Sequence, residues 1–220
     1  MSRRQAGNWP ATTEDKFLMK IVKRLPKTSE RLHQELTAGG WIPLKEPESL
    51  AGAMILSIPF MAANFFISIM AIRSFTSISL DEFGFTPDSF SITINLGAII
   101  ALIAFVIFHE LLHLIFIPNF LRSSKTFAGI TWYGGFVVTE EEISKLRYIL
   151  ITIAPFFVGS IVLPIILGMF GLLTTTIKIF VLLNAMASSV DVLNLCIVIM
   201  QVPQQALLKN NGAKTYWKAI

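Results

Sequence analysis

Four long apolar stretches alternate with shorter polar segments, at about 51–72, 92–120, 148–173 and 176–200. Each has the roughly 20 mostly apolar residues that a helix needs to cross the hydrocarbon core of a bilayer. The pattern predicts four transmembrane helices. The second stretch is longer than a crossing requires, so it should tilt or protrude, with Pro118 ending or kinking it. The third contains Pro155 and Pro164 with Gly159, Gly168 and Gly171, which predicts a kinked helix that neighbours approach closely.

The polar segments carry weaker signals. Phe17, Leu18, Ile21, Val22 and Leu25 recur at helical spacing opposite Lys16, Lys20, Lys23 and Arg24. This predicts a basic amphipathic helix, lying on an anionic inner leaflet or packed on the core from the cytosol. Gly39-Gly40-Trp41-Ile42-Pro43 reads as a turn with Trp41 as an interfacial anchor. Residues 126–130 and 136–139 have strand character around Trp132-Tyr133-Gly134-Gly135, which predicts a small hairpin. Such a hairpin offers an edge to which an unwound substrate segment adds as a strand. The expected fold is therefore an all-α integral membrane protein with four transmembrane helices. An amphipathic cytoplasmic arm over 1–50, a membrane domain over 51–200 with its small β-hairpin between the second and third spans, and a cytoplasmic tail over 201–220 complete it.

Composition agrees with a membrane protein. Of 220 residues 54% are hydrophobic and 15% charged, against about a quarter charged in soluble domains. The single cysteine, Cys196, excludes a disulfide framework within the chain. The first 50 residues have no early apolar core, so no cleaved signal peptide is expected. A net charge of +4 concentrated in flanking segments points to topology and anionic lipid, with no nucleic-acid partner. Arg3, Arg4, Lys16, Lys20, Lys23, Arg24, Lys27, Arg31 and Lys45 precede the first span. Arg122, Lys125, Lys145 and Arg147 lie between the second and third, and Lys209, Lys214 and Lys218 follow the last. The positive-inside rule then places both termini and the 121–147 loop in the cytoplasm of a bacterial-type cell membrane. The 73–91 loop, with only Arg73 beside Asp81, Glu82 and Asp88, should face outward with the 174–176 turn.

Within the spans the deep ionisable residues are few: His109, Glu110, His113 and Asp191. Lys178 is near enough to a span end to snorkel. A charge at the bilayer centre costs roughly 2.5–3.5 kcal/mol on insertion scales, so such residues mark function. His109-Glu110-Leu111-Leu112-His113 places two imidazoles at i and i+4 on one helix face, the spacing of a zinc site. Asp191 is the remaining deep acid able to supply a third ligand, at a depth similar to His109. Glu110 takes the general-base role, activating water at the metal and passing the proton to the leaving amine. Asn184, Ser188 and Asp191 share a face at i, i+4 and i+7. Asn184 is a candidate to steady the oxyanion or orient a ligand, and Ser188 to hydrogen-bond the carboxylate. His33, in the polar arm, reads as a surface histidine, and Glu140 to Glu142 as a solvated helix start. A non-catalytic membrane protein holding metal, or a scaffold locked by polar contacts, is the alternative reading.

These residues resemble a bacterial family of zincin peptidases known as a domain-of-unknown-function group. The resemblance rests on H-E-L-L-H, Ala154-Pro155-Phe156, Asn184…Ser188…Asp191, Gly40-Trp41-Ile42-Pro43-Leu44 and Glu46-Pro47, and covers about residues 39–200. More distantly the layout is similar to site-2 proteases, intramembrane zinc enzymes that cut transmembrane or membrane-anchored substrates. In those enzymes a later helix supplies an aspartate within Leu-Asp-Gly; here Asp191 stands in Ser189-Val190-Asp191-Val192. The resemblance implies zinc as cofactor, His109, His113 and Asp191 as ligands, and Glu110 as the catalytic base.

Overall fold

The computed structural model describes residues 19–91, 96–131 and 134–220. A short strand β1 (Lys20–Ile21) leads to helix α1 (Glu30–Ala38), strand β2 (Ile42–Pro43) and the helices α2 (Leu50–Leu56) and α3 (Ile58–Arg73). Helix α4 (Leu96–Phe116) is followed by strands β3 (Thr126–Thr131), β4 (Gly134–Thr139) and β5 (Ile143–Ser144). Then come α5 (Lys145–Phe157), a π-turn over Val158–Val162, α6 (Leu163–Met169), α7 (Thr175–Ala187) and α8 (Ser189–Gln201). Strands β6 (Ala206–Asn211) and β7 (Lys214–Ala219) close the chain.

The fold is therefore mixed α/β, not all-α. One sheet has the order β1-β3-β4 and the other β2-β7-β6-β5. The expected hairpin over 126–139 is present, with Thr126 opposite Thr139 and Thr131 opposite Gly134. The second sheet has no counterpart in the expected architecture. Its strands β2 and β5 are two residues long, too short to show an alternation, and the 201–220 segment is a hairpin rather than a simple tail. The basic amphipathic helix is also corrected where it falls on described residues; Phe17, Leu18 and the rest of 1–18 lie outside them. Lys20 and Ile21 pair in parallel with Phe127 and Ala128, and Val22 N–H donates to the Ala128 carbonyl at 2.9 Å. Strand pairing meets the backbone's hydrogen bonds there, and Ile21 is left 83% exposed. Gly129 permits the approach, since a Cβ at that position would run into the Val22 carbonyl oxygen. The helix of the arm lies later, at α1, where Ser29 caps the N-terminus by accepting from Leu32 N–H.

Among the described residues three helical units are long and apolar enough to cross a membrane: Leu96–Phe116, Lys145–Met169 and Thr175–Gln201. A fourth is available if α2 and α3, bent by 52° at Ser57, are taken together. The bend leaves Ser57 buried, and its hydroxyl donates to the Met54 carbonyl at 2.9 Å and accepts from Ser189 at 3.2 Å. Buried Asn64 ties α3 to α7 by donating to the Ala185 carbonyl at 3.1 Å. Lys178 does not snorkel. It is buried, and its ammonium donates to Glu82 Oε2 at 2.7 Å and to the Ser77 carbonyl at 2.8 Å. At the opposite helix ends, buried Lys145 donates to the Val202 carbonyl at 2.7 Å, joining the start of α5 to the end of α8.

Because β2 precedes α2, β5 follows α4, and β6 and β7 follow α8, their shared sheet brings all these segments to one end of the helices. A core of Leu44, Leu193, Ile197, Val198, Val202, Ala206 and Leu208 joins that sheet to α8. A second, with Leu114, Ile117 and Ala128, joins α4 to the β3–β4 hairpin.

Candidate metal centre

His109 and His113 leave the same face of α4, one turn apart. Asp191 comes from the first turn of α8, just after the chain breaks at Ser188 between α7 and α8. The two Nε2 atoms lie 3.4 and 3.7 Å from Asp191 Oδ2. The rings meet edge to face, 5.2 Å apart at 74°. One ligand atom from each of the three residues lies within 4.8 Å of the other two.

The other ring nitrogens are held from behind. His113 Nδ1 is 2.7 Å from the carbonyl oxygen of Ile151, a pure acceptor, so this nitrogen carries the proton. His109 Nδ1 is 2.9 Å from Asn184 Oδ1. The Asn184 amide nitrogen donates to the Pro155 carbonyl at 2.7 Å and to Ser160 Oγ at 2.8 Å, which fixes the amide with its oxygen toward His109. Both imidazoles are thereby set with Nδ1–H outward and Nε2 facing Asp191, the orientation that hydrogen-bond partners behind the ring impose on metal-binding histidines.

This donor set fits zinc. With both imidazoles neutral, two lone pairs and a carboxylate face one another at these distances, a repulsion that a shared cation relieves. Donors at about 2.1 Å from one tetrahedral zinc stand roughly 3.4 Å apart, close to the spacing of Asp191 from the histidines. Among the described residues the group of ligand atoms consists of these three.

Glu110 follows His109 directly on α4. Strand β4 covers it: a Cβ on Gly135 would overlap Glu110 Cγ, Cδ and Oε1. Asn184 is fully buried and faces His109. Ser188 is also fully buried, and its hydroxyl has no hydrogen-bond partner among the described residues, Asp191 included. His33 is away from this cluster, its Nδ1 2.8 Å from the Tyr216 hydroxyl. In the sequence Gly135 reads as a turn residue and Pro155 as a kink, while Ile151 and Ser160 carry no signal of their own. The one local signal was the placing of Pro155 and Gly159 four residues apart in an apolar span.

Residues 102–207, a little under half of the chain, match the model of a family described as "Putative zincin peptidase". The matched segment contains His109, Glu110, His113, Asn184 and Asp191. No curated protein and no solved structure matches the chain. The family match points to a metallopeptidase with zinc as its metal, and the His109, His113 and Asp191 cluster is a place to bind it.

Proposed function

We propose that this protein is a zinc-dependent intramembrane endopeptidase that hydrolyses membrane-embedded substrates near the cytoplasmic side. The observation that carries this reading is the convergence of His109, His113 and Asp191 from two helical units apolar enough to span a membrane. His109 lies seven residues before the end of α4 and Asp191 ten before the end of α8. At 1.5 Å per residue these are depths of about 10 and 15 Å from the end where the sheets gather. That end carries the basic segments and is read as cytoplasmic.

The shared sheet also supports four crossings. If α4 alone crossed between β2 and β5, those strands would lie on opposite sides of the bilayer. Their presence in one sheet is accounted for when the bent α2–α3 pair crosses as well.

In this reading His109, His113 and Asp191 hold the metal. When bound, zinc supplies Lewis acidity, lowering the pKa of water and polarising the scissile carbonyl. Glu110 accepts a proton from the attacking water as its oxygen adds to the carbonyl carbon. The same carboxyl returns that proton to the leaving nitrogen as the C–N bond breaks. Asn184 orients His109. Strand β4 is at the edge of its sheet with Gly135 against Glu110, so an unwound substrate segment pairing along β4 brings its carbonyl beside the base. A helical substrate needs that unwinding, because its scissile bonds are otherwise enclosed in its own hydrogen bonding.

The test is cleavage of a transmembrane peptide in reconstituted vesicles by wild type and Glu110→Gln, each loaded with zinc. Cleavage by wild type and loss of at least about 100-fold in the variant is the expected result. Undiminished turnover by Glu110→Gln contradicts the mechanism.

A further inference from the structure

We infer that Pro155 is a positioning residue for both metal-facing histidines, one through the N–H it lacks and the other through its own carbonyl. In a regular helix the carbonyl of residue 151 accepts from the N–H of residue 155. Proline has none, so Ile151 O has no donor at its regular position within an apolar span, where an unmet carbonyl is costly. His113 Nδ1 occupies that position at 2.7 Å. The histidine therefore takes the hydrogen bond the helix gives up.

The second contact runs from the other side of the same residue. Pro155 O accepts from Asn184 Nδ2 at 2.7 Å, and Asn184 Oδ1 in turn accepts from His109 Nδ1 at 2.9 Å. The helix widens directly afterwards into the π-turn over Val158–Val162, a distortion that recurs at functional sites. Within it Gly159 makes the room: a Cβ there would lie 2.6 Å from Asn184 Nδ2. Buried Ser160 receives the other amide hydrogen at 2.8 Å and passes its own to Val181 O at 3.1 Å. A residue with no charge and no ligating atom thus fixes the tautomer and direction of two imidazoles on a different helix.

The inference rests on the metal-site reading and is tested separately from it. Pro155→Ala restores the N–H at 155, which competes with His113 for Ile151 O while leaving the 155 carbonyl for Asn184. Zinc affinity measured by chelator competition on the full chain in detergent should fall about 10- to 100-fold, the usual effect of losing the hydrogen bond behind a ligating imidazole. The thermal stability of the zinc-free variant should hold or rise, since a helical hydrogen bond is regained. Unchanged affinity with a shifted melting temperature makes Pro155 a purely structural kink and overturns the inference.

A second measurement needs no variant. Nitrogen-15 spectra of the histidine rings in the wild-type chain should show a proton on Nδ1 of both His109 and His113, zinc-free and zinc-loaded. His113 with its only ring proton on Nε2 overturns the inference, whatever Pro155→Ala does. Nδ1 protons on both rings without any zinc uptake would sustain the positioning and reject the metal reading.

Discussion

The backbone of Gly135 rests on the side chain of Glu110, leaving no space at that point for even a Cβ. The edge strand of the β3–β4 sheet and the residue read as the catalytic base are therefore in direct contact. Gly135→Ala should push the Glu110 carboxylate aside without disturbing the metal ligands. A displacement on the ångström scale is enough to cost about 10- to 100-fold in rate. Peptide hydrolysis should fall by that factor while zinc content and melting temperature stay close to wild type. A fully active Gly135→Ala would mean that Glu110 does not act from this position.

The ion pair of Lys178 with Glu82 locks the 80–83 turn to α7. Glu82→Gln leaves a buried ammonium facing a neutral amide. Loss of one partner of a buried pair costs about 3–5 kcal/mol, and less is expected here because the Glu82 side chain is 23% exposed. Denaturation should show a clear loss of stability that Lys178→Met in the same chain largely restores. Hydrogen bonding from Lys178 holds the Glu82 carboxyl below its ordinary range. The stabilisation is therefore present above about pH 4.5 and is lost as the pH falls through the lowered folded-state value.

Glu46 has the opposite sign. Burial raises its carboxyl above the ordinary range, against hydrogen bonding from Thr215 and the charge of Lys214. The folded chain then holds the Glu46 proton more tightly than the unfolded chain. Its contribution is most favourable below about pH 4.5 and is lost as the pH rises through the raised value. Glu46→Gln keeps an oxygen for the Thr215 N–H, which donates to Glu46 Oε2 at 2.9 Å. Melting temperatures of the two proteins should coincide near pH 4, with the variant higher at pH 7. A lower melting temperature for Glu46→Gln at pH 7 would contradict this.

Four crossings with the sheets inside predict the pattern of cysteine labelling in intact cells. With Cys196 replaced by alanine, a cysteine at Asp88 should react with an impermeant maleimide added outside. A cysteine at Lys214 should react only after the membrane is opened. Equal labelling of both positions from outside would refute the topology.

The centre was legible in sequence because ionisable residues are conspicuous in an apolar run. His109, Glu110 and His113 stand out within α4, and Asp191 as the remaining acid deep in a span, at a depth similar to His109. What packs around them was not legible. Pro155 announces a kink, but that its freed partner carbonyl faces His113 depends on how α5 lies against α4. Gly135 looks like half of a turn, and only the fold sets it on Glu110. The second sheet escaped because the three lysines at 209, 214 and 218 give the 201–220 segment the look of a solvated tail. Buried Ala206, Leu208 and Tyr216 sit among them, and their partners at 42–43 and 143–144 are too short to read as strands. The charge pattern reads that segment as cytoplasmic by the positive-inside rule but is silent on its pairing.

The central claim is a three-ligand zinc site with Glu110 beside it and outside the ligand set. Metal content per chain on detergent-purified protein tests this most directly, in wild type, Glu110→Gln, His113→Ala and Asp191→Ala. About one zinc in wild type and in Glu110→Gln, with loss in the other two folded variants, is the predicted result. A well-folded wild type that takes up no zinc when it is supplied would contradict the account and return the cluster to a set of interhelical contacts.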